Sequence, residues 1–134
     1  MISPKLLGTV LIAGALTVGV LPAPAAFAAV PQQEHLGVVN LTITGHAAKD
    51  FRTALLACSP DAGTHPDPGA ACEAITDAEG NFHAIKGDKV LCPLIYAPVT
   101  VRATGVYGGK SVDYVDTFSN ACIAANRTAG VFAF

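Results

Sequence analysis

The chain has 134 residues, 51% of them hydrophobic and only 13% charged. Eight Lys and Arg stand against ten Asp and Glu, a net charge of −2 with no basic patch or stripe. That distribution argues against nucleic acid and anionic membrane surfaces as partners.

Residues 1–28 read as a secretory signal peptide that is removed. Lys5 supplies a positive start, Leu6 to Leu21 form an almost purely apolar run, and Ala26-Phe27-Ala28 sets small residues where a signal peptidase needs them. Pro22 and Pro24 break the run too early for a good membrane span. The mature chain, residues 29–134, then carries seven Lys and Arg against ten acids, 7 − 10 = −3. It is expected to be secreted and extracellular, one domain with a modest core that profits from covalent help.

A loose tail is expected over 29–37. Val38 to Thr44 alternates partly, with Val39, Leu41 and Ile43 on one face, and reads as a strand. Phe51 to Cys58 is a second strand, able to pair with the first through the turn around Gly45–Asp50. Ser59 to Gly69 is rich in Pro, Gly and Asp and reads as a loop, and Gly69 to Ala78 reads as a short helix stopped by Gly80. Asn81 to Lys89 is irregular. Val99–Tyr107 and Lys110–Phe118 flank Gly108-Gly109 and read as a tight hairpin. Its second strand would bury Val112, Tyr114 and Phe118, but Asp116 shares their face, which calls for a bulge or a sheet edge. Val131 to Phe134 should be packed. The sum is an α+β domain: an antiparallel sheet with one or two short helices.

Cys58, Cys72, Cys92 and Cys122 all lie in the exported part, and an even number there reads as two disulfides. Counting alone leaves three pairings open, with the sequential one favoured. A zinc site using His65 is the rival reading, but no Cys-x-x-Cys knuckle is present. Metal and cofactor are therefore not expected. Nor is an enzyme, because Ser59, Ser111 and Ser119 lack a nucleophile-elbow context and no paired carboxylates flank a glycine-rich cleft.

The segment Leu91-Cys92-Pro93-Leu94-Ile95-Tyr96-Ala97-Pro98-Val99 stands apart. It falls where a connecting loop is due, yet it is apolar and bounded by two prolines. These fix φ near −65°, bias their predecessors to extended geometry and donate no backbone N–H. Two readings fit the pattern: Leu94 and Ile95 fold inward as core, or they are displayed for a partner.

Four blocks in order bear on that choice. They are Gly63-Thr64-His65-Pro66-x-Pro68-Gly69-x-Ala71-Cys72, then Cys92-Pro93-Leu94-Ile95-Tyr96-x-Pro98-Val99, then Phe118-Ser119-Asn120-x-Cys122, and finally Val131-Phe132-Ala133-Phe134. Together they closely resemble the Streptomyces-type subtilisin inhibitor family, from residue 63 to the end, with Cys58 fitting as the first cysteine. The resemblance weakens before residue 50. It implies a five-stranded antiparallel sheet with two helices, homodimers formed through the sheet, and disulfides Cys58–Cys72 and Cys92–Cys122. It also implies inhibition of subtilisin-like serine proteases, with chymotrypsin-like ones as a second target class, a reactive bond Leu94–Ile95, and Leu91, Cys92, Pro93 and Tyr96 as loop contacts.

Tyr107 stands where the family usually has tryptophan, and Ala97 replaces an acidic residue often found after the tyrosine. Asn120 is expected to brace the loop or to serve a turn. His65 and His83 are expected at the surface or in loops. The sequons at Asn40 and Asn126 are taken as incidental. Gln32, Gln33 and Lys49 could serve as transglutaminase cross-linking sites, a role some members of the family have.

Overall fold

A computed structural model describes residues 35–134 except 48, together with the single positions 14, 19, 23 and 25. Apart from those single positions, the expected signal peptide lies outside the described residues, as do Gln32 and Gln33. Among the described residues no helix is long and apolar enough to cross a membrane.

Alternating apolar residues build the sheet. In β1 (Gly37–Gly45), Val39, Leu41 and Ile43 point inward; in β2 (Phe51–Cys58), Ala54, Leu56 and Cys58 do so. A two-residue strand β3 (Ala62–Gly63) adds to the outer edge of β2. β4 (Val99–Tyr107) and β5 (Lys110–Phe118) form the hairpin, turning through Gly108 (φ 57°) and Gly109 (φ 75°). Both turn residues need positive φ, which glycine supplies without steric cost. The order is β3-β2-β1-β4-β5, antiparallel at every pairing.

The first strand starts earlier than expected. Gly37 pairs with both Cys58 and Tyr107, and Gly108 N donates to Leu36 O at 2.8 Å, so the end of the tail belongs to the sheet. The Asp116 conflict resolves as a sheet edge. Pairing runs without a break from Val99↔Phe118 to Tyr107↔Lys110, so there is no bulge. Asp116 sits on the outermost strand, exposed, where its carboxylate accepts from Thr117 N (2.8 Å) and the Tyr114 hydroxyl (3.4 Å).

Two helices take part in the core on the sheet's apolar face. α1 (Pro68–Asp77) begins on Asp67, whose side chain accepts from Ala70 N, and has Pro68 in its first turn. It presses Ala71, Cys72 and Ile75 into the core against β2. A single 3₁₀ turn follows at Phe82–Ala84. α2 (Ala121–Arg127) is capped by Asn120 and buries Ala124. Val131 and Phe132 close the core, and Phe132 and Phe82 both pack on the Tyr114 ring. Tyr107 spans inward to bond Thr76 Oγ1 through its hydroxyl at 2.6 Å.

His65 lies in a loop, as expected, but is not at the surface. It is buried, with Nδ1 accepting from Asp67 N (3.0 Å) and Nε2 therefore carrying the proton it donates to Val131 O (2.9 Å). Its ring edge meets Phe134. The imidazole thus ties the 59–67 loop to the C-terminal segment. His83 is exposed as expected, its ring edge against Tyr114.

Candidate functional site

Residues 85–98 carry no regular secondary structure beyond the 3₁₀ turn that precedes them, and they connect that turn to β4. Burial removes one of the two readings of this segment. Leu91 is 97% exposed, Leu94 99%, Ile95 61% and Tyr96 83%. None of these side chains folds into the core. Four large apolar groups in water within six residues form a patch of the kind that marks an interaction surface.

An unpacked loop would ordinarily be disordered by its own conformational entropy, about 1–2 kcal/mol per residue for the backbone alone. Here residues 119–126 hold it at a series of points. Asp88 N donates to Asn126 O at 2.8 Å, and Asn126 Nδ2 donates to Val90 O at 3.1 Å. Cys92 is bonded to Cys122. Asn120 Nδ2 donates to both Pro93 O (3.1 Å) and Ile95 O (2.9 Å), and Ala97 N donates to Ser119 O (2.8 Å). The carbonyls on either side of Leu94 are therefore fixed by a single side-chain amide. Leu91 and Leu94 are left free to point outward.

Asn120 braces the loop, and in place of a turn role it caps a helix. Its Nδ2 braces the loop while its Oδ1 accepts from Ile123 N and starts α2. The cap locks the side-chain orientation, so the amide that holds the loop is itself held. Being buried, it has little freedom to swing away.

The disulfides pair sequentially, Cys58–Cys72 and Cys92–Cys122, and no cysteine is free. Asp61 lies within reach of the Cys58 and Cys72 sulfurs, the one such group of potential metal ligands among the described residues. Its sulfurs are spent on each other, and both nitrogens of His65 are engaged with backbone. The zinc reading has no ligand set.

Residues 36–120 match the model of the subtilisin inhibitor-like family. The chain belongs to that family. A trypsin inhibitor of Streptomyces longisporus is 36% identical over 130 residues, covering 92% of this chain and 88% of the relative. The subtilisin inhibitor of Streptomyces albogriseolus is 37% identical over 98 residues, 72% of this chain and 68% of its own length. Among solved structures, Streptomyces caespitosus sermetstatin, crystallised in complex with Bacillus licheniformis subtilisin, superposes with a TM-score of 0.57 at 31% identity. That match covers 73% of this chain and 98% of sermetstatin. The family's fold, a five-stranded antiparallel sheet with two helices and two disulfides, is the one present here.

One residue that holds this subtilisin inhibitor-like loop carried no signal of that role in the sequence. Asn126, read as an incidental sequon, contacts the loop through both its backbone and its side chain. The available hint was spacing: it lies four residues after Cys122, one helical turn along the face that carries the disulfide.

Proposed function

We propose that this chain is a secreted protein inhibitor of serine proteases of the subtilisin type, acting through a substrate-like loop with Leu94–Ile95 as the reactive bond. The observation that carries the reading is the combination at that bond: a leucine almost wholly in water, on a backbone fixed from both sides by Asn120 and Cys122.

In this reading the loop enters the protease cleft as an extended strand and pairs backbone to backbone. Leu94 fills the primary specificity pocket, and Leu91, three residues upstream, takes a second apolar subsite. Pro93 holds its own backbone near the bound φ, and Tyr96 offers aromatic area beyond the scissile bond. The Leu94 carbonyl faces the enzyme's serine and oxyanion hole as a substrate's carbonyl does. Acylation is permitted, but departure is not. The new amine of Ile95 stays beside the acyl carbon because Asn120 holds the carbonyls of Pro93 and Ile95, and Cys92–Cys122 anchors the upstream side. Religation then outruns release. Because the loop is ordered in advance, association spends little entropy, and affinity is expressed as a slow off-rate.

Specificity follows from Leu94 being large and uncharged. Apolar pockets of subtilisins and chymotrypsin-like enzymes suit it; a pocket built around a buried carboxylate does not. The Streptomyces longisporus relative is named a trypsin inhibitor, and this chain is read as differing from it in target. The test is titration of subtilisin with the mature protein followed by N-terminal sequencing of slow cleavage products. A new terminus at Ile95 supports the assignment, and one elsewhere overturns it.

Two further properties belong to the same reading. Residues 1–28 are a leader removed on export, which N-terminal sequencing of the secreted protein checks. The protein pairs into a homodimer through the outer face of the sheet, where Val38, Leu55, Val106 and Val115 are exposed on four adjacent strands.

A further inference from the structure

The upstream half of the loop has a holding point of its own. Leu91 makes no packing contact that could fix it, being 97% exposed, so its position is set only by the backbone on either side. Asn126 Nδ2 reaches both sides, donating to Val90 O at 3.1 Å and lying 2.9 Å from Cys92 Sγ. A carboxamide has two N–H groups, and here each has an acceptor, one before Leu91 and one after it. The backbone carbonyl of Asn126 takes Asp88 N at 2.8 Å. Gly87 lies so close that a Cβ there would stand 2.5 Å from Asn126 O and 2.7 Å from Arg127 Cα. The last turn of α2 thus seats residues 87–92 as its N-cap seats 93–97.

We propose that Asn126 is a positioning residue for Leu91, fixing the upstream apolar anchor of the loop independently of Asn120. The inference rests on the inhibitory reading of Leu94–Ile95 given above. A glycan on this sequon would be incompatible with those two contacts. Nδ2, the atom a glycan would occupy, is committed to the loop, and the Thr128 hydroxyl is buried and donates to Ala124 O at 2.8 Å. Without the two donors the backbone at 90–92 regains freedom that protease binding must then remove, and the complex dissociates faster.

The experiment uses the mature protein and subtilisin, following dissociation by the return of enzyme activity. Asn126→Ala and the near-isosteric Asn126→Asp are measured alone and combined with Leu91→Ala, with thermal midpoints and disulfide content recorded for each. Dissociation is expected to quicken about fivefold to tenfold in either single variant, the worth of about one net hydrogen bond. In the Leu91→Ala background the same substitution is expected to change it by less than about twofold, the non-additivity of two residues that act as a unit. Unchanged dissociation in folded variants, or an equal effect with and without Leu91, overturns the proposal. Should Asn126→Ala not fold, Asn126→Asp decides it. Wild-type protein cut elsewhere than Leu94–Ile95 overturns the reactive-bond assignment as well, and shows it without any variant.

Discussion

Leu94 owes its proposed role to what surrounds it more than to its own contacts. It touches almost nothing in the free protein, so replacing it should leave the fold intact while changing what the loop fits. Leu94→Lys is expected to gain trypsin inhibition by about a hundredfold, equivalent to about 3 kcal/mol, and to lose a comparable part of its action on subtilisin. Inhibition constants for both enzymes check this, and an unchanged pair would place the specificity residue elsewhere. On the edge strand, burial and the neighbouring Asp116 carboxylate push the Tyr114 hydroxyl up to about 12 from 10.0. The folded state then keeps a proton that the unfolded chain releases near pH 10. This stabilisation is complete below pH 10 and falls away as pH rises towards 12. Urea unfolding at pH 9 and pH 11.5 should show a steeper loss for the wild type than for Tyr114→Phe; parallel losses would contradict it.

The elements differ in how far their sequences announce them. β1, β2, β4 and β5 were legible because period-two alternation and the Gly108-Gly109 turn coincide with the burial that makes the sheet. α2 was not. It has seven residues, three of them alanine, too few for an apolar stripe to show, although Asn120 before it and Arg127 in its last turn are the end signals of a helix. The loop's apolar character was legible from pattern, but its direction only from the family resemblance, since an apolar run between prolines fits core and display equally. Of its braces, that of Asn120 was expected, but that of Asn126 was not, for it joins a side-chain amide to a backbone carbonyl 36 residues away, a contact that leaves no local pattern. The disulfide between these elements gives a direct test. Cys92→Ser with Cys122→Ser opens a closure of 30 residues, which costs about 3–4 kcal/mol in the chain-entropy model. The sheet should persist by circular dichroism, while subtilisin cleaves the loop as an ordinary substrate. Undiminished inhibition by that variant would show that the hydrogen bonds suffice alone.

Across the whole molecule the two faces of the sheet have separate duties. One is covered by the helices and the C-terminal segment. The other displays Val38, Leu55, Val106 and Val115 beside the exposed Arg102–Asp113 ion pair, an apolar surface with a polar border. The loop leaves the domain at the start of β4 and is held by α2, so neither of its supports lies on the exposed face of the sheet. Val106→Asp is therefore expected to convert the proposed dimer to a monomer in sedimentation while subtilisin inhibition changes by less than about twofold. Loss of both together would mean that the dimer contributes to the loop. This separation lets a small domain keep one segment rigid and solvent-exposed at once, because the cost of ordering it is met in folding and not at the encounter with a protease.

The most direct measurement starts from the cut protein. Material cleaved at Leu94–Ile95 is purified with both disulfides intact and incubated with a catalytic amount of subtilisin. If the braces hold the severed ends in register, intact chain reappears and the mixture regains full inhibition. If the cleaved form stays cut, or is digested to smaller peptides, the loop is displayed without being held, and the account fails.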